Sequence, residues 1–235
     1  MLSAILDVLP TREAKERRRL KRQIQAGRSA LPSWMINGIQ RGVEKQQYKG
    51  HRILKDPFDF AIYSTLLWRE KPATIIEIGS CEGGSALWMS DLMRAYEIPC
   101  AIHSVDIKKV SGVTSAGVIF YEGDARNLGA VFDDRFMGAI ARPLLVIEDA
   151  DHIRATTLAA LRFFDKWMRR DEYIIVEDSI VTDMGIAGQF DGGPLVAMEQ
   201  FLAERGADYE VDRFYCDMFG QNFTWNVNGY LKRVR

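Results

Sequence analysis

The amino-acid sequence predicts an α/β fold built on a seven-stranded, mostly parallel sheet with an antiparallel last strand. From about residue 56, short apolar runs alternate with segments that have the apolar spacing of helices. That alternation is typical of parallel strands joined by right-handed helical crossovers. The chain then closes with two β-like runs around a glycine turn, as expected of a hairpin at one sheet edge. The predicted architecture is Rossmann-like.

The elements follow in order along the chain. The helix predicted for PFDFAIYSTLLWRE has helical apolar spacing and ends before Pro72. Buried strands are predicted at 74–79, 101–107, 117–123, 143–149 and 172–178, with helices at 84–97, 124–131, 152–169 and 193–206. The closing β-runs are predicted at 208–219 and 223–235.

Residues 1–55 are predicted to form a helical N-terminal arm, and 56–235 the main domain. Basic residues are concentrated in the stretch 11–27. Such a run could contact nucleic acid or an acidic membrane, or it could be a solvated helix face or an oligomer arm. The formal net charge of -1 favours the second interpretation. We therefore expect no nucleic-acid partner, and we expect a homo-oligomer.

The composition is that of a soluble globular protein, with 47% hydrophobic and 27% charged residues. No apolar run approaches the roughly 18 residues of a transmembrane helix, and the start, MLSAILDVLP, makes a poor signal peptide. The three cysteines, Cys81, Cys100 and Cys216, show no paired spacing, which indicates reduced thiols. We expect a cytoplasmic protein with no membrane partner.

A glycine-broken turn follows the first predicted strand. Gly79 and Gly83 would let the backbone approach a ligand where a Cβ would clash, and Ser85 could cap the next helix. The phosphate-cradling pattern G-x-G-x-x-G is not matched, and an acid precedes the turn. These features favour a ligand with a cationic amino-acid end, such as S-adenosylmethionine. The residues expected around it are Glu77, Gly79, Ser80, Gly83 and Ser85.

Two further acids are predicted at the ends of the next two strands. Asp106 could accept both hydroxyls of a ribose, as it could for NAD. Asp124 would lie beside the base. Both could instead cap helices. Because three consecutive strand ends carry suitable groups, the sequence predicts a nucleoside site.

An acid cluster is predicted at two later strand ends, Glu148-Asp149 and Glu177-Asp178. Neighbouring strand ends lie about 5 Å apart, and unpaired carboxylates at that distance repel one another and take up protons. A hard divalent cation such as Mg²⁺ would resolve the repulsion. His152, close by, is the candidate general base.

Three stretches carry a family resemblance, namely KGHRILKDPFDFAIYSTLLWREKPATIIEIGSCEGGSALW, DGGPLVAMEQFL and WNVNGYLKR. They resemble the cephalosporin hydroxylase-like methyltransferases, relatives of the rhamnosyl O-methyltransferases, from about residue 45 onward. The resemblance implies a class I methyltransferase fold and the cofactor S-adenosylmethionine. It also implies methyl transfer to a small-molecule hydroxyl, such as that of a sugar or polyketide-type secondary metabolite, which would make it an enzyme of antibiotic biosynthesis.

The acid cluster is also similar to the metal site of macrolide-sugar O-methyltransferases. That likeness implies that Asp149, Glu177 and Asp178 bind Mg²⁺, that Asp149 also borders the cofactor, and that His152 is the base. Glu148 departs from the family pattern, which often has Asp there. Trp34, Met35, Phe190 and Trp225 are candidates for an apolar acceptor pocket, or for ordinary core.

Other functions stay open from the sequence. These are an NAD(P)-dependent oxidoreductase, a component of a hydroxylase complex, and a non-catalytic cofactor-binding partner. A non-haem iron oxygenase needs two histidines and a carboxylate, whereas only one of the three histidines lies in the acid cluster. A non-catalytic scaffold has no need of so costly a set of like charges.

Overall fold

A computed structural model describes residues 28–235; the basic stretch 11–27 and the start of the predicted arm lie outside the described residues. The strands are β1 (Gln47–Tyr48), β2 (His51–Arg52), β3 (Thr74–Ile78), β4 (Ala101–Asp106), β5 (Val118–Glu122), β6 (Leu144–Glu148), β7 (Tyr173–Val176), β8 (Tyr209–Val211) and β9 (Tyr230–Arg233). The helices are α1 (Ser33–Val43), α2 (Pro57–Glu70), α3 (Gly84–Ala95), α4 (Asp134–Ala139), α5 (Arg154–Asp165), α6 (Gly193–Arg205) and α7 (Arg213–Cys216). Short 3₁₀ helices span Ala125–Ala130, Ser179–Thr182 and Ala187–Phe190.

The main sheet has seven strands in the order β5-β4-β3-β6-β7-β9-β8. The pairs among β3, β4, β5, β6 and β7 are parallel, and β9 runs antiparallel to both of its neighbours. This confirms the predicted α/β fold with an antiparallel last strand. Every residue of β3, β6 and β7 is buried, because helices cover both faces of a parallel sheet.

The strand order reverses at β3, which lies between β4 and β6. From β3 the chain crosses through α3 to β4, and it later returns to place β6 on the other side. The two crossovers leave the sheet in opposite directions, so a crevice opens at the carboxyl ends of these strands. Ligands of open α/β sheets bind in such a crevice.

The closing strands are much shorter than the two long β-runs predicted at 208–219 and 223–235. Within these two runs, the residues that pair with each other are those of β8 and β9, with Val211 opposite Leu231. Helix α7 and a loop separate the two strands along the chain. The loop backbone bonds to side chains of other elements instead of a ladder, because Trp225 donates its N–H to Asp56 and Asp59. Backbone groups satisfied in this way need no strand partner. Likewise, the predicted helix at 124–131 is a 3₁₀ helix.

The described part of the N-terminal region packs onto the main sheet's end. Helix α1 contributes Ile36 and Val43 to a small apolar cluster that also contains Trp225. His51 lies in β2, whose partner is β1. The division of the chain at residue 55 stays a prediction. Across residues 28–235, no helix is long and apolar enough to cross a membrane.

Candidate active site

A cleft of about 370 Å³ opens where the carboxyl ends of β3, β4 and β6 meet. Eight of the residues predicted from the sequence line it: Gly79, Ser80, Ser85, Asp106, Asp124, Asp149, His152 and Asp178. Three others, Glu77, Gly83 and Glu177, are not part of this lining. The structure therefore brings most of the predicted site residues to a single cavity.

The two glycines of the turn are required by close contacts within the protein. Both have positive φ, +100° at Gly79 and +81° at Gly83. A Cβ on Gly79 would lie 1.8 Å from the backbone oxygen of Asp149, and one on Gly83 would lie 2.9 Å from the Phe120 ring. The structure therefore gives a reason for both glycines within the protein itself, and the close approach of a ligand to this turn stays a prediction.

Beneath the turn, Glu77 is fully buried. Its carboxylate accepts hydrogen bonds from Ser85 Oγ and Ser104 Oγ, both at 2.5 Å, and Ser104 stands opposite Glu77 in the register of β3 and β4. Burial raises the pKa of Glu77. The suggested role of Ser85 as a helix cap is wrong, because α3 has Gly83 as its N-cap and no side-chain cap. Glu77 thus stabilises the turn from its buried side, through the hydrogen bond from Ser85.

Asp106 and Asp124 each combine a place in the cleft wall with a local structural role. One oxygen of Asp106 accepts from the Cys81 backbone N–H at 2.9 Å, and the other from that of Lys108 at 3.2 Å. Asp124 caps the 3₁₀ helix by accepting from the N–H of Arg126 at 2.8 Å. Carboxylate oxygens have several lone pairs, so these bonds leave acceptor capacity for a ligand.

A possible metal centre lies at the ends of β6 and β7. Asp149, His152 and Asp178 each offer one ligand atom, and these atoms all lie within 4.8 Å of one another. His152 Nε2 is 3.3 Å from Asp178 Oδ2. His152 and Asp178 both have left-handed backbones, with φ of 59° and 56°. Non-glycine residues rarely adopt this conformation, and it is concentrated at functional sites.

The electrostatics of the three residues favour a cation. Burial raises the pKa of Asp149 to about 7 and that of Asp178 to about 6. For His152, burial alone would lower the pKa, but the charges of Asp178 and Asp149 raise it overall. A positive ion shared by the carboxylates would reverse the penalty of keeping them ionised.

Glu177, the third predicted metal ligand, is held by a residue that the sequence interpretation missed. Lys55 Nζ lies 2.6 Å from both Glu177 carboxylate oxygens and 3.2 Å from Asp149 Oδ2. The Tyr63 hydroxyl also donates to Glu177. A lysine in a loop is usually solvated, so nothing in the sequence pattern marked Lys55. A ligand role for Glu177 stays a prediction.

Glu148, whose role the sequence left open, does not line the cleft. Its carboxylate is buried, and one oxygen accepts from the Ala150 backbone N–H at 3.4 Å. Burial raises its pKa to about 7.

Of the four candidates for an apolar acceptor pocket, Phe190 lies against His152, with its ring edge-on at 5.6 Å between centroids. Trp225 belongs to the small apolar cluster with α1, against which Met35 packs. Trp34 is 72% exposed.

Comparison with known proteins identifies the family. Residues 40–234 match the model of the family described as Rhamnosyl O-methyltransferase/CmcI. The chain belongs to this family. It is 29% identical over 191 residues to the rhamnosyl O-methyltransferase of Mycobacterium leprae (strain TN), covering 79% of this chain and 82% of that protein. It is 27% identical over 194 residues to the rhamnosyl O-methyltransferase of Mycobacterium tuberculosis (strain H37Rv), covering 80% and 78%.

Solved structures of cmcI share the family's fold. The form described as Mg-SAM superimposes with a TM-score of 0.64 at 28% identity, covering 81% of this chain and 77% of the other. The SAH form gives a TM-score of 0.62 at 25% identity, covering 81% and 83%. The chain is therefore an enzyme, an S-adenosylmethionine-dependent O-methyltransferase of this family. The predicted family, fold and enzyme class are confirmed.

Proposed function

We propose that the enzyme transfers a methyl group from S-adenosylmethionine to a hydroxyl of a sugar or polyketide-type small molecule, with Mg²⁺ held at the acid cluster. The observation that carries this proposal is that Asp149, His152 and Asp178 share one cleft with the glycine turn and Asp106. Relatives of the chain are named rhamnosyl O-methyltransferases, and one cmcI structure is described as an Mg-SAM form. The first name agrees with a sugar-like acceptor, and the second agrees with magnesium.

The cofactor would lie against the turn that begins at Gly79, with Asp106 accepting from its ribose hydroxyls and Asp124 beside the adenine. These residues follow β3, β4 and β5, whose ends line one side of the cleft. Asp106 fits this role because it stands at the end of β4, next to the strand-order reversal. The Glu77–Ser85 hydrogen bond would keep the turn in place.

Asp149 and Asp178 would hold the metal, and bound Mg²⁺ would lower the pKa of a hydroxyl next to it. His152 would accept the hydroxyl proton at Nε2, the nitrogen that faces Asp178. When bound, S-adenosylmethionine would supply the methyl group: the hydroxyl oxygen would bond to the methyl carbon as the carbon–sulfur bond breaks, and the electron pair would stay on sulfur in S-adenosylhomocysteine. A positioned base of this kind contributes about 10²- to 10⁴-fold to the rate.

The charges around His152 explain why metal and base would act together. A general base must be neutral before it accepts a proton, yet Asp178 and Asp149 raise the pKa of His152 against the effect of burial. A divalent cation bound to those carboxylates would offset their charge and lower the pKa of His152 again, which favours the neutral form.

Metal removal tests the proposal. EDTA should abolish methyl transfer from labelled S-adenosylmethionine to an accepted sugar or polyketide-type substrate, because the carboxylates alone cannot activate the hydroxyl. Added Mg²⁺ should restore the rate, and calorimetry should find S-adenosylhomocysteine binding nearly unchanged throughout. Full activity in EDTA would show that the acid cluster is structural.

Asp106→Ala should weaken S-adenosylhomocysteine binding by about 10- to 100-fold, since hydrogen bonds to a charged group contribute about 1.5–3 kcal/mol. Calorimetry measures the dissociation constant. Asp106→Asn keeps one acceptor for the Cys81 N–H, so it should weaken binding less. The control is Asp171→Asn, because Asp171 is exposed, pairs with Lys232 and does not line the cleft. Equal affinity of Asp106→Ala and wild type would place the ribose elsewhere.

A further inference from the structure

Lys55 is a buried cation at the edge of the proposed metal centre. Its residue is 2% exposed, and its ammonium group contacts both oxygens of Glu177 and one oxygen of Asp149. The partners lie 94 and 122 residues away in sequence, so the contact exists only in the fold. Glu177 is itself 3% exposed. A buried ion pair of this kind requires that each charge keeps a partner.

The hydrogen bonds of Glu177 leave it poorly placed to bind a metal at the same time. One of its oxygens accepts from Lys55 and from the Tyr63 hydroxyl, and the other accepts from Lys55. Asp149 is shared, because its Oδ2 contacts Lys55 while the residue also belongs to the group of possible metal ligands. A divalent cation bound at Asp149 would therefore lie beside a positive charge.

We infer that Lys55 is a built-in competitor of the divalent cation, an inference that rests on the proposed function. The ammonium group keeps Glu177 and Asp149 together when no metal is present. When a metal binds, Lys55 has to give up its contact with Asp149, and Glu177 becomes available as a ligand only if Lys55 also releases it. Lys55 thereby lowers the affinity of the site for divalent cations.

The surroundings of Lys55 allow this exchange without a change of backbone. The next residue, Asp56, caps α2 by accepting from the Phe58 N–H at 2.7 Å, and it also accepts from the Trp225 N–H. The backbone at Lys55 is therefore anchored. Lys55 is among the residues that line the cleft, and its four flexible methylene groups would let the ammonium group move into that space.

Titration with Mn²⁺, followed by electron paramagnetic resonance at fixed ionic strength, tests the inference. Lys55→Met should bind Mn²⁺ about tenfold or more tightly than wild type, because removal of a unit charge a few ångströms away strongly favours a cation. Lys55→Arg keeps the charge and should bind like wild type. Lys49→Met, at a lysine whose side chain is 60% exposed, is the matched control and should change nothing.

A second comparison covers the case in which Lys55→Met leaves Glu177 unpaired and fails to fold. In the Glu177→Gln background the buried negative charge is gone, and adding Lys55→Met should again tighten Mn²⁺ binding, through Asp149. If Lys55→Met folds and binds Mn²⁺ no more tightly than its parent, in the wild-type or in the Glu177→Gln background, the inference is overturned. If wild type binds Mn²⁺ and Lys55→Met only matches it, this inference alone fails. If no protein binds Mn²⁺, the proposed metal centre fails with it.

Discussion

Gly79→Ala is expected to unfold the cleft and to lower the melting temperature by about 6 °C or more. An alanine Cβ would lie 1.8 Å from the backbone oxygen and 2.5 Å from the carbonyl carbon of Asp149, in a backbone with φ of +100°. Both atoms belong to backbone, so no side chain can move aside. Overpacking costs about 1–3 kcal/mol and backbone strain a similar amount. For a protein of this size each kcal/mol lowers the melting temperature by about 2–4 °C.

The matched control is Gly112→Ala. Gly112 also has a positive φ, +75°, but nothing lies within 4 Å of its added Cβ. This variant isolates the conformational cost, so it should lower the melting temperature by only a few degrees. Calorimetric or circular-dichroism melting measures both variants. Equal shifts for the two would mean that the contact with Asp149 is unimportant and that only φ matters.

Asp178→Asn is expected to reduce methyl transfer by at least about 100-fold, because the metal chemistry that lowers a hydroxyl's pKa depends on the carboxylate. Asparagine has nearly the same shape but no charge, so it would hold a divalent cation poorly. The left-handed backbone at Asp178 accepts asparagine readily, so the fold should persist. Turnover and Mn²⁺ affinity should fall together, with Asp171→Asn as the control.

His152→Ala separates the two roles that the geometry permits for the imidazole. If His152 is the base, the variant should bind Mn²⁺ nearly as wild type does and lose about 10²- to 10⁴-fold in rate. A variant that loses metal affinity as strongly as Asp178→Asn does would make His152 a ligand, consistent with its place among the three ligand atoms. That result would leave the proton acceptor to be found.

The parallel core could be predicted from the sequence because its strands are continuous apolar runs. TIIEI and LLVIE are buried at every position, and burial on both faces is what such runs require. The acids at the strand ends follow from the same logic, since parallel strands place their carboxyl ends at one edge. Asp106, Asp149 and Asp178 accordingly line one cleft.

Contacts between distant segments could not be predicted. The pairing of Lys55 with Glu177 joins a loop before α2 to the end of β7, and no local pattern encodes it. The stretch around Trp225 has the composition of a strand. Its backbone does not pair with a strand there: the Trp225 N–H donates to Asp59 on α2 and to Asp56, the N-cap of α2. In both cases tertiary hydrogen bonding overrides local propensity.

The position of β9 constrains the order in which the protein can be completed during synthesis. Within residues 28–235, β8 pairs only with β9, and β9 lies between β7 and β8. Until residues 230–233 are free to pair, β8 has no neighbour in this sheet and one edge of β7 is unpaired. An unpaired strand edge is prone to aggregation. A chain that lacks β9 should therefore be bound by chaperones and cut by proteases, and a chain that includes β9 should be protected.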